Sequence, residues 1–256
     1  MRKLTLIFSV LWMLLQSGMC HAGFATSSSR IIYIEGERER SLILSNINDY
    51  PIIAQTWVDD GQGNPDQANA PFVVLPAVFK MQPKAIQALR IVQNGSTMPQ
   101  DRETVFWLNL YEIPGKTKEQ MKPLETNQAR LDLAMNTQLK VFYRPKSLPK
   151  LELRQIAEQL HFFLQQQQGQ WLLTCQNPTP YNVSFAGLTV VQAEQGVQVP
   201  QDMDMMTKAL SQRAYLLHSD FNIIQPDRII FSLIADDGKT YQGEFDYKLG
   251  KIKLEF

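Results

Sequence analysis

Cysteine is nearly absent from this chain: two in 256 residues, at Cys20 and Cys175. Histidine is almost as scarce, with three. Lysine plus arginine equals aspartate plus glutamate, so the formal net charge is zero. Each shortage excludes something. A balanced charge offers no electrostatic footprint for a polyanion, so no nucleic-acid partner is expected. No GxSxG, phosphate-binding P-loop, HExxH or CxxC occurs, and no nucleophile, base or cofactor cradle can be assembled from the motifs present. The chain therefore reads as a non-enzyme without a cofactor. His161 and His218 have no metal-ligand spacing and read as core or surface residues, so no metal site is expected. Beyond the N-terminus no run of about 18 apolar residues exists, which excludes stable insertion into a membrane by a helix.

The first 22 residues read as a secretory signal peptide. Arg2 and Lys3 supply the positive start, Leu4–Leu15 a short apolar run, and Cys20-His21-Ala22 the small residues at −3 and −1. Cleavage is expected after Ala22, with Ala25 as the alternative. It removes Arg2 and Lys3 and leaves a net charge of about −2. It also removes Cys20. Cys175 is then left without a partner, so no internal disulfide is expected in spite of an oxidising compartment. In the segment WLLTC, Cys175 reads as a buried strand residue.

Alternation of apolar and polar residues dominates the rest. The longest such stretch is Ala129–Pro145, ARLDLAMNTQLKVFYRP. Leu131, Leu133, Met135, Leu139, Val141 and Tyr143 fall at odd positions and so share one face of a strand. Asp132, Asn136, Gln138, Lys140 and Arg144 fall on the other. Leu131 to Lys140 alone would span about 30 Å. A strand that long crosses a large sheet or overhangs its own core, and an apolar overhang is normally avoided unless it binds something.

Shorter strands precede it at Arg30–Glu35, Ser41–Asn46, Pro51–Val58, Phe72–Leu75, Ala77–Met81, Ala88–Gln93 and Thr104–Glu112. Asp59–Pro71 reads as a loop. Ser147–Pro149 reads as a linker and Leu151–Leu160 as a brief helix. Strands resume at His161–Gln166, Gln170–Cys175, Asn182–Gln192, Tyr215–His218, Arg228–Ile234 and Tyr241–Tyr247. Strands at this spacing predict an all-β protein built of sandwiches. The divisions are 1–22 for the signal, 23–146 for a first β domain and 147–256 for a second. Asp59-Asp60 and Asp236-Asp237 precede glycine and read as turns. Met203, Met205 and Met206 would suit Cu(I) if they converged, which is the basis of an alternative reading as a periplasmic metal-binding protein.

Three blocks carry a resemblance. Met98–Gly115 is MPQDRETVFWLNLYEIPG, Lys140–Pro145 is KVFYRP, and Asn177–Tyr181 is NPTPY. Together they closely resemble the PapD-like periplasmic chaperones of the chaperone–usher pilus pathway. The resemblance implies two immunoglobulin-like sandwich domains set as an L, with a cleft between them. It implies a chaperone that caps pilus subunits by donor-strand complementation and delivers them to an outer-membrane usher. By matching position, Arg30 and Lys140 would bind the subunit's C-terminus. Leu131, Leu133 and Met135 would enter the subunit's groove. Glu103, Arg144 and Asp236 would form an interdomain ion network. Neither cleft cation is expected to support the fold, and a client-free chain would be open to self-association through the exposed strand. Departures from the pattern are Gly115, the lone Cys175, and a Gly115–Arg130 connection without cysteines, which suits the short-loop class. The structural alternative is a pilus subunit or adhesin domain, against which stand two complete β domains and a single mature cysteine.

Overall fold

The computed structural model describes residues 23–67, 69–115, 133–217 and 226–254. Two β-sandwiches follow one another along the chain. The first is built from β1 (Phe24–Thr26), β2 (Arg30–Ile34), β3 (Arg40–Asn46), β4 (Ile52–Asp59), β5 (Phe72–Leu75), β6 (Val78–Met81), β7 (Ile86–Gln93), β8 (Thr104–Pro114) and β9 (Met135–Arg144). One sheet has the order β1-β3-β7-β5 and the facing sheet β2-β9-β8-β4-β6. Period-2 patterning produces this directly. Leu42 and Leu44 of β3, Leu89 and Ile91 of β7, Leu108 and Leu110 of β8 and Val141 of β9 all point inward and are fully or almost fully buried. β8 ends just before Gly115, whose N–H donates to Pro51 O at 2.8 Å. A Cβ there would fall 2.6 Å from that same oxygen, so only glycine fits.

The second sandwich contains β10 (His161–Gln167), β11 (Gln170–Asn177), β12 (Val183–Gln192), β13 (Gln195–Gln198), β14 (Met206–Thr207), β15 (Ser211–Leu217), β16 (Arg228–Ile234), β17 (Thr240–Asp246) and β18 (Lys251–Leu254). Its sheets are β10-β11-β15 and β13-β12-β16-β17-β18, with β14 beside β12. Phe162, Phe185, Phe231 and Phe245 meet at its centre with ring centroids 5.4–6.3 Å apart. A single-turn helix α1 (Leu153–Ala157) lies between the sandwiches in sequence, and Gln155 Oε1 accepts the Glu152 N–H at 2.9 Å. The glutamine-rich stretch closes the β10–β11 hairpin through Gln168 and Gly169, both at positive φ.

The differences from the sequence reading are instructive. Within the described residues β9 begins at Met135, opposite Glu112 of β8, and the 129–132 part of the expected strand lies outside them. Leu133 lies just before the ladder, and Leu131 lies outside the described residues, as does His218. β1, β13, β14 and β18 are not among the strands the sequence predicts. At two to four residues each, they are too short to show a period. Asp59 is more than a turn residue. Buried at the end of β4, its carboxylate accepts from the N–H groups of Gly61 and Gly63, Trp57 Nε1 and Asn109 Nδ2, all within 3.1 Å.

Candidate functional site

β9 organises the site, and its two faces do different work. Leu139, Val141 and Tyr143 fill the first core. Lys140, Phe142 and Arg144 point the other way, toward the second sandwich. β2 runs parallel to β9 with Arg30 opposite Lys140, and Ile32 opposite Phe142. Directly opposed residues of two strands share a face, so Arg30 and Lys140 project side by side.

Both cations are bonded across the cleft. Arg30 is 8% exposed, and its Nη1 donates to the Ile234 carbonyl at 3.0 Å. Its guanidinium lies over the Phe142 ring at 5.7 Å, and Nε has no partner. Burial pulls the Arg30 pKa down, against the fields of Asp236, Glu103 and Asp237. Lys140 Nζ sits 2.6 Å from Asp204 Oδ1, and Arg213 approaches the other oxygen at 3.4 Å. The expectation that neither cation supports the fold therefore needs correction. Each holds a bond from the first sandwich to the second.

Beside them, Arg144 bridges two carboxylates. Its Nε and Nη2 donate to Glu103 Oε1 at 2.9 and 2.7 Å. Its Nη1 and Nη2 donate to the Asp236 oxygens at 2.6 and 3.0 Å, and its guanidinium stacks 5.0 Å from the Tyr181 ring. The second Glu103 oxygen accepts the Asn182 N–H at 2.9 Å and its Nδ2 at 3.1 Å. Burial pushes the Glu103 carboxyl upward, opposed by Arg144 and by the Asn182 donors. Burial lowers Arg144, but the hydrogen bonds to Asp236 and the two carboxylate charges outweigh it and hold the guanidinium above its ordinary range. Val105, Phe142 and Met206 form a small apolar plug between the sandwiches. A cavity of about 420 Å³ opens here, lined by Arg30, Phe142, Arg144, Tyr181 and Asp236 among others.

At the other end of β9 the strand is open. β2 pairs with Lys140–Arg144 only, so Met135–Leu139 present an edge that no described strand occupies. Leu133 is 63% and Met135 43% exposed at its start. The methionine cluster does not converge. Met203 is 94% exposed, while Met205 and Met206 are buried. Among the described residues no group of three or more histidine, cysteine, aspartate or glutamate side chains could hold a metal ion.

The structure thus brings Arg30 to Lys140, and Glu103 and Asp236 to Arg144. Sequence reading missed Asn182, Asp204, Arg213 and the Ile234 carbonyl. Asn182 directly follows NPTPY and could have been suspected. Asp204 and Arg213 lie in a segment without pattern.

Fold and cleft together define a two-domain immunoglobulin-like protein with cations, carboxylates and an open strand edge about its cleft. Residues 23–149 match the pili and flagellar-assembly chaperone PapD N-terminal domain, and residues 155–245 the pili assembly chaperone PapD C-terminal domain. The chain belongs to this family of pilus-assembly chaperones. The chaperone protein FimB/FhaD of Bordetella pertussis is 36% identical over 175 residues, 66% of this chain and 68% of the relative. The probable fimbrial chaperone YadV of Escherichia coli K12 is 33% identical over 188 residues, 72% of this chain and 74% of the relative. The crystal structure of YadV chaperone superposes with a TM-score of 0.70 at 26% identity, covering 86% of this chain and 98% of that one.

Proposed function

We propose that the chain is a periplasmic chaperone that captures pilus subunits, completes each by lending it β9, and passes it to an outer-membrane usher. One observation carries this reading: β2 begins at Arg30, opposite Lys140, and the β9 edge upstream of that point is unpaired. A client strand added there in line with β2 runs parallel to β9. Its last residue then meets the first residue of β2, and its terminal carboxylate lands between a guanidinium fork and an ammonium. Backbone hydrogen bonds along the edge give affinity without reading sequence. Leu131, Leu133 and Met135 enter the client's open groove, at about 1.5–3 kcal/mol for each apolar side chain fully buried. No bond is made or broken, so no catalytic group is required. The N-terminal signal directs the chain to the periplasm, where the subunits and the usher are met. The network of Glu103, Arg144 and Asp236 holds the two sandwiches at the angle that keeps the cleft open.

The test is binding of a purified subunit to folded Arg30→Ala and Lys140→Ala chaperones. Loss of a buried partner to the carboxylate costs about 2–5 kcal/mol, or about thirty-fold to several thousand-fold in affinity. Because both cations also bond across the cleft, a subunit with a few extra C-terminal residues supplies the control that leaves the chaperone untouched. Wild-type affinity for that extended subunit would remove the carboxylate anchor. The same open edge, empty in the client-free chain, pairs with a second copy. A dimer seen by analytical ultracentrifugation and lost in Leu133→Glu is the expected outcome.

A further inference from the structure

Glu112 is buried at 3% exposure near the end of β8, far from the cleft network, and no cation among the described residues pairs with it. Its Oε1 accepts from Asn48 Nδ2 at 2.8 Å. Its Oε2 has no hydrogen-bond partner. A buried carboxylate with an orphaned oxygen is expensive and implies a missing positive group. The described neighbouring elements offer none. β9 presents Met135 and β4 presents Ala54 at the ladder positions opposite Glu112. In the turn after β3, Asp49 pairs outward with Lys84 at 3.2 Å, and Asn46 and Asn48 are neutral.

Gly23 is a further described neighbour. Its N–H donates to Asn48 Oδ1 at 3.0 Å, so one asparagine links it to Glu112. A Cβ built on Gly23 would lie 3.7 Å from Glu112 Oε2 and 3.2 Å from Met135 Cε. That position and the Gly23 nitrogen hang from one α-carbon, about 2.5 Å apart, which keeps the nitrogen within about 6 Å of Oε2. In the uncut chain this nitrogen is a neutral amide. After signal cleavage it is an ammonium.

We propose that cleavage after Ala22 completes a buried ion pair, with the new Gly23 α-ammonium as the cation and Glu112 as its carboxylate. The pocket is a binding site for one primary ammonium, the chain's own processed N-terminus. It sits at the root of the overhanging strand, against Met135, so processing braces the segment that β9 offers to a client. The inference rests on the signal-peptide reading of residues 1–22.

Two N-terminal forms of the mature chain test it, one beginning at Gly23 and one with Met-Ala in front, each as wild type and as Glu112→Gln. The extended wild-type form should melt roughly 3–6 °C below the form beginning at Gly23. That difference should vanish in Glu112→Gln. It should also grow from pH 4 to pH 7, as an uncompensated Glu112 is forced to ionise, and shrink above about pH 8, where the amine loses its proton. If Glu112→Gln fails to fold, NMR titration of the wild-type Gly23 amine decides instead. A pKa raised above the usual α-amino range is expected, and an ordinary or lowered one overturns the pair. An equal extension penalty in Glu112→Gln overturns it as well. Mass spectrometry of periplasmic protein separates the premises. A start other than Gly23 removes the cleavage reading and the pair together. A Gly23 start with no coupling removes the pair alone.

Discussion

Truncating Arg144 should cost far more stability than truncating Asp236, although both belong to one ion network. The two carboxylates live in different surroundings. The Glu103 side chain is 2% exposed and the Asp236 side chain 57%, with Arg144 between them at 21%. Arg144→Ala strands Glu103 in the interface with only the Asn182 donors. Breaking a buried pair by removing one partner costs about 3–5 kcal/mol. Asn182 keeps supplying a main-chain and a side-chain hydrogen bond to Glu103, so the lower part of that range is expected, about 3–4 kcal/mol. Asp236→Ala removes a solvated carboxylate and should cost at most about 1 kcal/mol. Arg144→Lys should fall between them, since one ammonium cannot fork to both carboxylates.

Urea denaturation followed by tryptophan fluorescence measures the series. Trp57 and Trp107 report on the first sandwich and Trp171 on the second. The loss should appear chiefly in the first sandwich, where Glu103 and Arg144 both reside. An Asp236→Ala variant as damaged as Arg144→Ala would refute the reasoning, because burial would then not be what sets the cost.

Three further outcomes are expected. Leu133→Glu should leave the melting temperature within about 2 °C of wild type, since the side chain is 63% exposed, and should abolish subunit capture by forcing a carboxylate into an apolar groove. A much lower melting point would show that Leu133 supports its own core. Asp204→Asn should tighten subunit binding by about tenfold, because the client carboxylate no longer competes with an internal one 2.6 Å from Lys140; weaker binding would mean that Asp204 positions the lysine. Burial pushes the Cys175 thiol up to about 12, so native protein should resist maleimide at pH 8 and react once unfolded, and the stability held by the neutral thiol, complete below about pH 9, should be lost as pH rises toward 12.

Strands showed clearly in the sequence wherever one face is buried and the other wet. Arg228–Ile234 is found at the predicted bounds, and its burial alternates residue by residue. The two-residue β14 carries no period, yet Met206 on it fills the plug between the sandwiches. The site was legible in the parts that carry a local motif: Glu103, Arg144 and Lys140 sit in blocks that read as blocks. Asp204 and the Ile234 carbonyl were not legible. Their roles arise only when the second sandwich folds back over β9, and a main-chain acceptor has no sequence signature. Nor was the burial of Arg30, since an arginine opening a strand looks the same whether or not a second domain covers it.

Lys140 and Leu131 differ in parity, so an ideal strand sends them to opposite faces. β9 pairs with β8 in unbroken register from Met135 to Tyr143. Its odd face turns from solvent to core along its length, with Met135 exposed and Leu139 and Val141 buried. Its even face meets the second sandwich throughout its lower half. Under the proposed function a client approaching the edge would reach both sets at once. The edge itself would supply backbone groups, the upper odd face apolar side chains, and the even face charge at the strand's inner end. On that reading, recognition depends on where the first core stops. A core extended along β9 from Leu139 to Met135 would give the apolar set to the chaperone rather than to its client.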